Sequence, residues 1–333
     1  MSDGLLVVIV AVALAFDFTN GFHDTANAVA TSVSTRALTP RIAVLVAAVM
    51  NFLGAFTSTK VAKTVGGGLI NTDQSFLTGH LILAALIGAI AWNLFTWALG
   101  LPSSSSHALV GGLVGAALAS GGSHPVDWGG IWSKVAWPGL ASPVIGFAIA
   151  GALMIVILWV FRRVRPTPLN RGFRLLQILS GSFMAFAHGT NDAQKTMGVI
   201  ALALFASGHT SDPTDIPTWV IVAAAAAIAA GTYAGGWRIM RTMGTRIFKL
   251  EPPQGFAAQA TASGVLYTVA TKYGFPVSTT HVISSSVMGA GATTRVSAVR
   301  WGVAADIVMA WIFTIPAAGL VAAGMYEVLS TVM

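Results

Sequence analysis

The chain contains no cysteine among its 333 residues, and only 9% of its residues are charged. Without cysteine, disulfide bonds and thiol chemistry are excluded. The low charge excludes an ordinary soluble domain, because such domains carry about 25% charged residues and use them to cover the surface that faces water. The sequence also lacks residues with the spacing of a zinc site, and we therefore expect neither a metal nor another cofactor.

Hydrophobic residues make up 55% of the chain and are concentrated in long apolar runs. A helix needs about 20 apolar residues to span a bilayer. We therefore predict an all-α polytopic membrane protein of about ten transmembrane helices, some of them broken or re-entrant. Two runs, 103–120 and 276–293, are short and glycine-rich, which favours re-entrant half-helices. The other runs are 4–35, 41–59, 77–99, 140–161, 172–206, 217–236, 255–273 and 302–328.

The net charge of +7 arises from basic residues in short loops between these runs, which is an orientation signal and not a sign of nucleic-acid binding. Placing the loop at residues 161–174 in the cytoplasm leaves thirteen of the 18 Lys and Arg residues inside and four outside, with Lys195 within a span. This bias predicts a multi-pass protein of the plasma (inner) membrane with both termini on the external face. The N-terminal residues MSDGLL lack a basic region, and no cleavable signal peptide is expected.

Two pairs of polar motifs reveal an internal repeat. NGFHDTANAV at 20–29 and HGTNDAQKTM at 188–197 both interrupt apolar runs, and LPSSSSHALV at 101–110 matches FPVSTTHVIS at 275–284. The repeat divides the chain into halves of five spans each, 1–162 and 163–333. Because five is odd, the second half enters the membrane inverted. Inverted repeats with paired, interrupted helices are typical of secondary transporters, and a duplicated anion channel is the alternative from another class.

The first motif pair aligns Asp24 with Asp192, and Asn27 falls at the position of Lys195. A carboxylate at mid-bilayer depth costs about 2.5–3.5 kcal/mol on insertion scales, and it therefore needs a reason to be there. Asp192 could form a structural ion pair with Lys195, three residues further along a helix. Two equivalent carboxylates, with neutral amide oxygens nearby, also fit ligands of a monovalent cation. Asp17, on the apolar approach to the first motif, could serve either a structural or a proton-carrying role.

The second motif pair places a run of hydroxyls directly before each small-residue helix. Single Ser or Thr residues at such positions are ordinary helix caps. A whole run beside free backbone N–H groups also predicts an oxyanion site, because helix N-termini attract anions. His107 and His281 end the two runs, and either they donate hydrogen bonds to the backbone or they carry protons. The hydroxyl residues are Ser104, Ser105, Ser106, Ser278, Thr279 and Thr280.

A hydrolytic enzyme is the third class to consider. Ser104, His107 and Asp24 could be imagined as a catalytic triad within the membrane. The sequence contains no nucleophile elbow around these residues. The other half repeats the same set, and a duplicated triad has no catalytic purpose. We therefore predict that the protein is not an enzyme.

The motifs GFHDTANAVATSVSTRAL and AHGTNDAQKTMGVIALAL, together with the two Pro–Ser/Thr–His segments, resemble the inorganic phosphate transporter (PiT) family over essentially the whole chain. The resemblance implies symport of inorganic phosphate with H⁺ or Na⁺, an inverted-repeat helical fold and commonly a homodimer. Bacterial members can carry phosphate as a neutral metal–phosphate complex, and some relatives carry sulfate. The resemblance also implies that the six hydroxyl residues above bind phosphate. It further implies that cation coupling belongs to Asp24, Asn27, Asn191, Asp192 and Gln194.

Overall fold

The computed structural model describes residues 1–72 and 77–332, and it is built from helices. The α-helices are α1 (Asp3–Ser34), α2 (Pro40–Gly54), α3 (Lys60–Gly67), α4 (Gly79–Leu99), α5 (Ser105–Gly121), α6 (Trp128–Gly130), α7 (Trp137–Val160), α8 (Pro166–Ala206), α9 (Thr218–Ala234), α10 (Trp237–Arg241), α11 (Pro252–Thr268), α12 (Thr279–Ala292) and α13 (Trp301–Val332). Short π-helical segments at Ile131–Ala136, Thr242–Arg246 and Val269–Tyr273 adjoin α7, α10 and α11.

The two helices that carry the first motif pair are continuous. Helix α1 runs for 32 residues through Asp24, and α8 runs for 41 residues through Asp192. The expectation that polar residues break these spans was therefore wrong. An α-helix satisfies its own backbone hydrogen bonds whatever its side chains are. Polar side chains can consequently sit at mid-helix when neighbouring helices supply their partners.

Helix lengths divide the chain into full spans and shorter pieces. Among the described residues, four helical stretches are long and apolar enough to cross a membrane: α1, α4, Trp128–Val160 and α13. A fifth crossing results if α9 and its continuation through Gly244 count as one span, bent by 59°. Helices α5 and α12, which follow the second motif pair, have 17 and 14 residues. They are shorter than the roughly 20 residues that a crossing needs.

Close helix packing depends on small residues. Helices α5 and α13 approach so closely that a methyl group on Gly115 would meet the backbone of Gly319. Likewise, Gly231 on α9 leaves room only for the backbone of Phe18 on α1. Small residues at such crossings let two backbones pack directly, which is the usual way that helices associate in a membrane. The second of these contacts holds α9 against α1, the helix that carries the first motif.

We expect Gly115→Ala to lower the stability of the protein. The added methyl group must push α5 away from α13, and overpacking of this kind costs about 1–3 kcal/mol. Gly324→Ala is the matched control, because α13 leaves open space around Gly324. Thermal unfolding of the purified variants in one detergent measures the difference. A Gly115→Ala variant as stable as the Gly324→Ala control would contradict the close α5–α13 crossing.

Candidate functional site

Two carboxylates and a histidine lie together where α1 crosses α8. His188 Nε2 is 3.5 Å from Asp192 Oδ2 and 4.0 Å from Asp24 Oδ2. Asp24 also contacts its neighbour His23, whose Nδ1 is 2.6 Å from Asp24 Oδ1. All of these side chains are buried. The crossing therefore gathers two carboxylates and two imidazoles away from solvent.

The N-termini of α5 and α12 bring hydroxyls to this cluster. Ser105, at the start of α5, donates to Asp24 Oδ2 at 3.4 Å. Thr279, at the start of α12, donates to Asp192 Oδ1 at 3.1 Å. Ser104 and Ser278 are the preceding caps, and their hydroxyls accept from the backbone N–H groups of His107 and His281. Each carboxylate thus faces a hydroxyl from a helix N-terminus.

The next hydroxyl of each run connects to the opposite long helix. Asn27 Nδ2 on α1 donates to Thr280 Oγ1 at 2.8 Å. Lys195 Nζ on α8 donates to Ser106 Oγ and, at 2.7 Å, to Asp192 Oδ1. Asn27 and Lys195 occupy matching positions of the two motifs. The contact between a long helix and the hydroxyl run of the other half therefore occurs twice, once from an amide and once from an ammonium group.

Asn191 and Gln194 differ in how they relate to the cluster. Asn191 Nδ2 donates to Asp192 Oδ1 and to the carbonyl of Val277, both at 2.8 Å, and its buried Oδ1 has no partner. Gln194 Oε1 instead accepts the backbone N–H of Val61 at 2.8 Å, at the beginning of α3. The structure therefore brings Asn191 to the carboxylates, whereas the Gln194 carbonyl is engaged by α3.

His107 and His281 form a separate pair. Their ring centroids are 4.7 Å apart, and the His281 ring stacks on Trp311 at 4.0 Å. Both rings line a cavity of about 480 Å³ whose wall includes the exposed side chains of Leu140 and Ile312. The two histidines thus border an apolar cavity at the bilayer-facing surface. The predicted role of these histidines in a proton relay remains a prediction.

Three polar residues of the cluster were not among the predicted site residues. His188 lies one helical turn before Asp192, and His23 directly precedes Asp24. Asn20 Nδ2 donates to Asp192 Oδ2 at 3.3 Å. All three stand inside the two quoted motifs, and the spacing of His23 before Asp24 and of His188 before Asp192 was a local signal for two of them. Only the contacts of Asn20 with Asp192 and of His188 with Asp24 cross between α1 and α8. Ligand atoms of Asp24, His188 and Asp192 lie within 4.8 Å of one another, close enough to share a cation.

Apolar helices that enclose a buried cluster of charges define a membrane transport protein, since ionisable groups inside a membrane mark ion and substrate pathways. Residues 20–322 match the phosphate transporter family, and the chain belongs to that family. It is 50% identical over 323 residues to a protein of Rhizobium meliloti (strain 1021) named "Probable low-affinity inorganic phosphate transporter", covering 97% of this chain and 96% of that protein.

Two further comparisons agree with this assignment. A Bacillus subtilis (strain 168) protein of the same name is 45% identical over 328 residues, covering 98% of each chain. A solved structure described as "The sodium-dependent phosphate transporter" superimposes with a TM-score of 0.91 at 25% identity, covering 99% of this chain and 100% of that one. These relatives are transporters, and the prediction that the protein is not an enzyme is confirmed.

Replacing Lys195 should destabilise the protein strongly. Lys195→Met leaves Asp192 buried without its cation, and breaking a buried ion pair from one side costs about 3–5 kcal/mol. Adding Asp192→Asn should recover part of the loss, because the uncompensated charge is then gone. Unfolding of the two single variants and the double variant in detergent measures the coupling. Lys63→Met, on an exposed lysine, is the control. Strictly additive losses would contradict the ion pair.

Proposed function

We propose that the protein is a secondary active symporter that imports inorganic phosphate together with H⁺ or Na⁺. The observation that carries the proposal is the direct contact between two hydroxyl-bearing helix N-termini and two buried carboxylates. Helix N-termini with hydroxyls provide neutral donors for an oxyanion. The carboxylates of Asp24 and Asp192, next to the Asn27 and Asn191 amides, provide oxygens for the driving cations. Gln194 belongs to this cation group only by the motif, since its carbonyl contacts α3.

Membrane electrostatics supports co-transport. Moving one charge against the membrane potential costs about 2.3 kcal/mol per 100 mV, and a divalent phosphate costs roughly twice that amount. Two monovalent cations carried with the phosphate cancel this charge, and a third would gain energy from the potential. A neutral metal–phosphate complex is the other way to remove the charge. Binding cation and anion in contact, as the site geometry favours, lets each stabilise the other.

The names of the relatives favour phosphate over sulfate. The relatives from Rhizobium meliloti and Bacillus subtilis are both described as inorganic phosphate transporters. The structural neighbour is described as sodium-dependent, which supports a monovalent cation as partner and leaves sodium and protons as the two candidates. Sulfate, as a similar tetrahedral oxyanion, is the second candidate substrate. A homodimer in the plasma membrane remains a proposal from the family resemblance.

We further propose that residues 1–162 and 163–333 are inverted repeats, with ten crossings and both termini external. The duplicated contacts support this arrangement. Ser105 on Asp24 corresponds to Thr279 on Asp192, and Asn27 on Thr280 corresponds to Lys195 on Ser106. Asp24 and Asp192 each contact the hydroxyl run of their own half, whereas Asn27 and Lys195 each contact the run of the other half. A two-fold relation between the halves generates this alternation directly.

Purified protein in liposomes should take up phosphate with saturable kinetics, and external phosphate should accelerate the release of internal phosphate. Both behaviours follow from a site that faces one side at a time. Uptake under an imposed sodium gradient, compared with an imposed pH gradient, identifies the cation, and sulfate competition measures selectivity. Conductance carrying far more ions than a carrier turns over would instead indicate an anion channel.

Substitutions should separate the cation and anion roles. Ser105→Ala and Thr279→Ala each remove one donor, and a hydrogen bond to a charged group is worth about 1.5–3 kcal/mol. Phosphate affinity at saturating cation should therefore fall roughly tenfold to a hundredfold. Asp24→Asn should mainly weaken the cation dependence. Because coupled ligands affect one another reciprocally, phosphate must be titrated at saturating cation. Unchanged cation affinity in Asp24→Asn would remove Asp24 from the cation site.

Reporter fusions test the inverted topology. A fusion at residue 167, in the basic loop, should report the cytoplasm, and a fusion at the C-terminus should report the external side. The expectation follows from the excess of basic residues that this orientation places inside. The internal control is to fuse two reporters at each position, one active only in the cytoplasm and one active only outside it. If both fusions report one compartment, the scheme of five plus five crossings is wrong.

A further inference from the structure

Asp17 is a buried carboxylate outside the site described above. It lies on α1, two helical turns before Asp24, and its side chain is completely inaccessible to solvent. The hydroxyl of Thr196 on α8 faces it. Neither oxygen of Asp17 nor the Thr196 hydroxyl accepts or donates a hydrogen bond within the part of the chain that the structure describes. The proposed symport mechanism leaves this group without a role.

The position of Asp17 follows from the way α1 and α8 pack. Asn20 pairs with Asp192, and Asp24 lies near His188. Moving one further turn toward the N-terminus of α1 therefore reaches Thr196, one turn after Asp192 on α8. Asp17 and Thr196 thus form the next polar layer of the same interface, on the side of the cluster nearest the α1 N-terminus.

This layer exists only once. In the alignment of the two motifs, Asp17 corresponds to Ala185 and Thr196 corresponds to Ala28. The site around Asp24 and Asp192 is duplicated, but the Asp17 layer has apolar residues at the matching positions. If packing at the helix crossing itself required a carboxylate, the matching position in the other half would also carry one. The single carboxylate therefore points to a function that has a direction across the membrane.

The charges around Asp17 do not provide a partner. Across the interface, α8 presents Asp192, His188 and Lys195. Lys195 Nζ is already held by Asp192, and His188 lies between Asp192 and Asp24. Helices α4, α9 and α2 also pack against α1, and their titratable groups are His80, Tyr233 and Arg41. Gln259 on α11, Thr280 on α12 and the segment of Gly236 and Gly244 meet α1 at Phe22 or beyond, on the other side of Asp24 or beside it.

We propose that Asp17 takes up a proton from the side of the α1 N-terminus and carries it as one of the co-transported cations. An ionised carboxylate without donors is unfavourable in such a site, whereas a protonated one becomes neutral and can donate to the Thr196 hydroxyl. The available oxygens suit a proton better than a metal cation, because a proton needs only one acceptor. The inference deepens the proposed symport by assigning one of its cations, and it rests on that proposal.

Liposomes containing a pH-sensitive dye test the inference when labelled phosphate and internal pH are followed together at zero membrane potential. Asp17→Asn should lower the number of protons carried per phosphate by one and should flatten the decline of uptake with rising pH. Asp3→Asn is the matched control, because Asp3 is an exposed carboxylate on the same helix. It should keep the wild-type ratio.

Two results would overturn the inference. The first is an unchanged proton-to-phosphate ratio in Asp17→Asn. The second is a variant that loses sodium dependence while its proton ratio stays constant, which would make Asp17 a sodium ligand. If the wild-type protein takes up no phosphate at all, the proposed function fails instead.

Infrared spectroscopy gives a measurement that does not depend on transport or on the fold of the Asn variant. The wild-type protein should show the band of a protonated carboxyl group that disappears at high pH. Asp17→Glu keeps the carboxyl group and should shift that band. A spectrum in which Asp17→Glu moves no protonated-carboxyl band would refute proton uptake at this residue, whether or not phosphate is carried.

Discussion

The burial of two carboxylates on adjacent helices is the constraint on which the rest of the structure depends. Asp24 and Asp192 lie close enough to share His188, and both are shielded from water. Two negative charges in such a place repel each other and lose their hydration. Both effects are unfavourable unless donors or cations surround them. The helices that meet at this point are arranged so that every one of them supplies such a group.

The surrounding donors differ in strength. Lys195 pairs with Asp192, whereas the equivalent residue near Asp24 is the neutral Asn27. Asp24 is left with two imidazoles and the Ser105 hydroxyl. Under the proposed symport, the half of the cluster around Asp24 is therefore the better place for a driving cation than the half around Asp192. A substrate anion that arrives at the two helix N-termini would in turn favour that cation.

The sequence predicted the composition of the site better than the shape of its helices. The duplicated motifs indicated that Asp24, Asp192 and the hydroxyl runs meet, and the structure brings them together. The same motifs suggested broken spans, because polar residues at mid-span resemble interruptions in a hydropathy pattern. The partners of these residues, such as Thr280 for Asn27, lie about 250 residues away. Local pattern contains no information on contacts of that range. It did contain the four-residue spacing of His188 and Asp192, but not the approach of His188 to Asp24 on the other helix.

A transporter built from two equivalent halves faces a physical problem, since a fully symmetric site binds equally from either side. Coupling to a gradient does not require different binding free energies on the two sides of the membrane. The order in which ions load can nevertheless depend on such a difference. The exchange of Asn27 for Lys195 and the pair formed by Asp17 and Thr196 both break the equivalence within the same helix crossing. Lys195 adds an ammonium group, paired with Asp192, to one half of the cluster. Asp17 lies toward the same end of the crossing, beside Thr196, and the proposed proton on it would be exchangeable. The crossing would then combine one fixed ammonium group and one mobile proton near a single anion site.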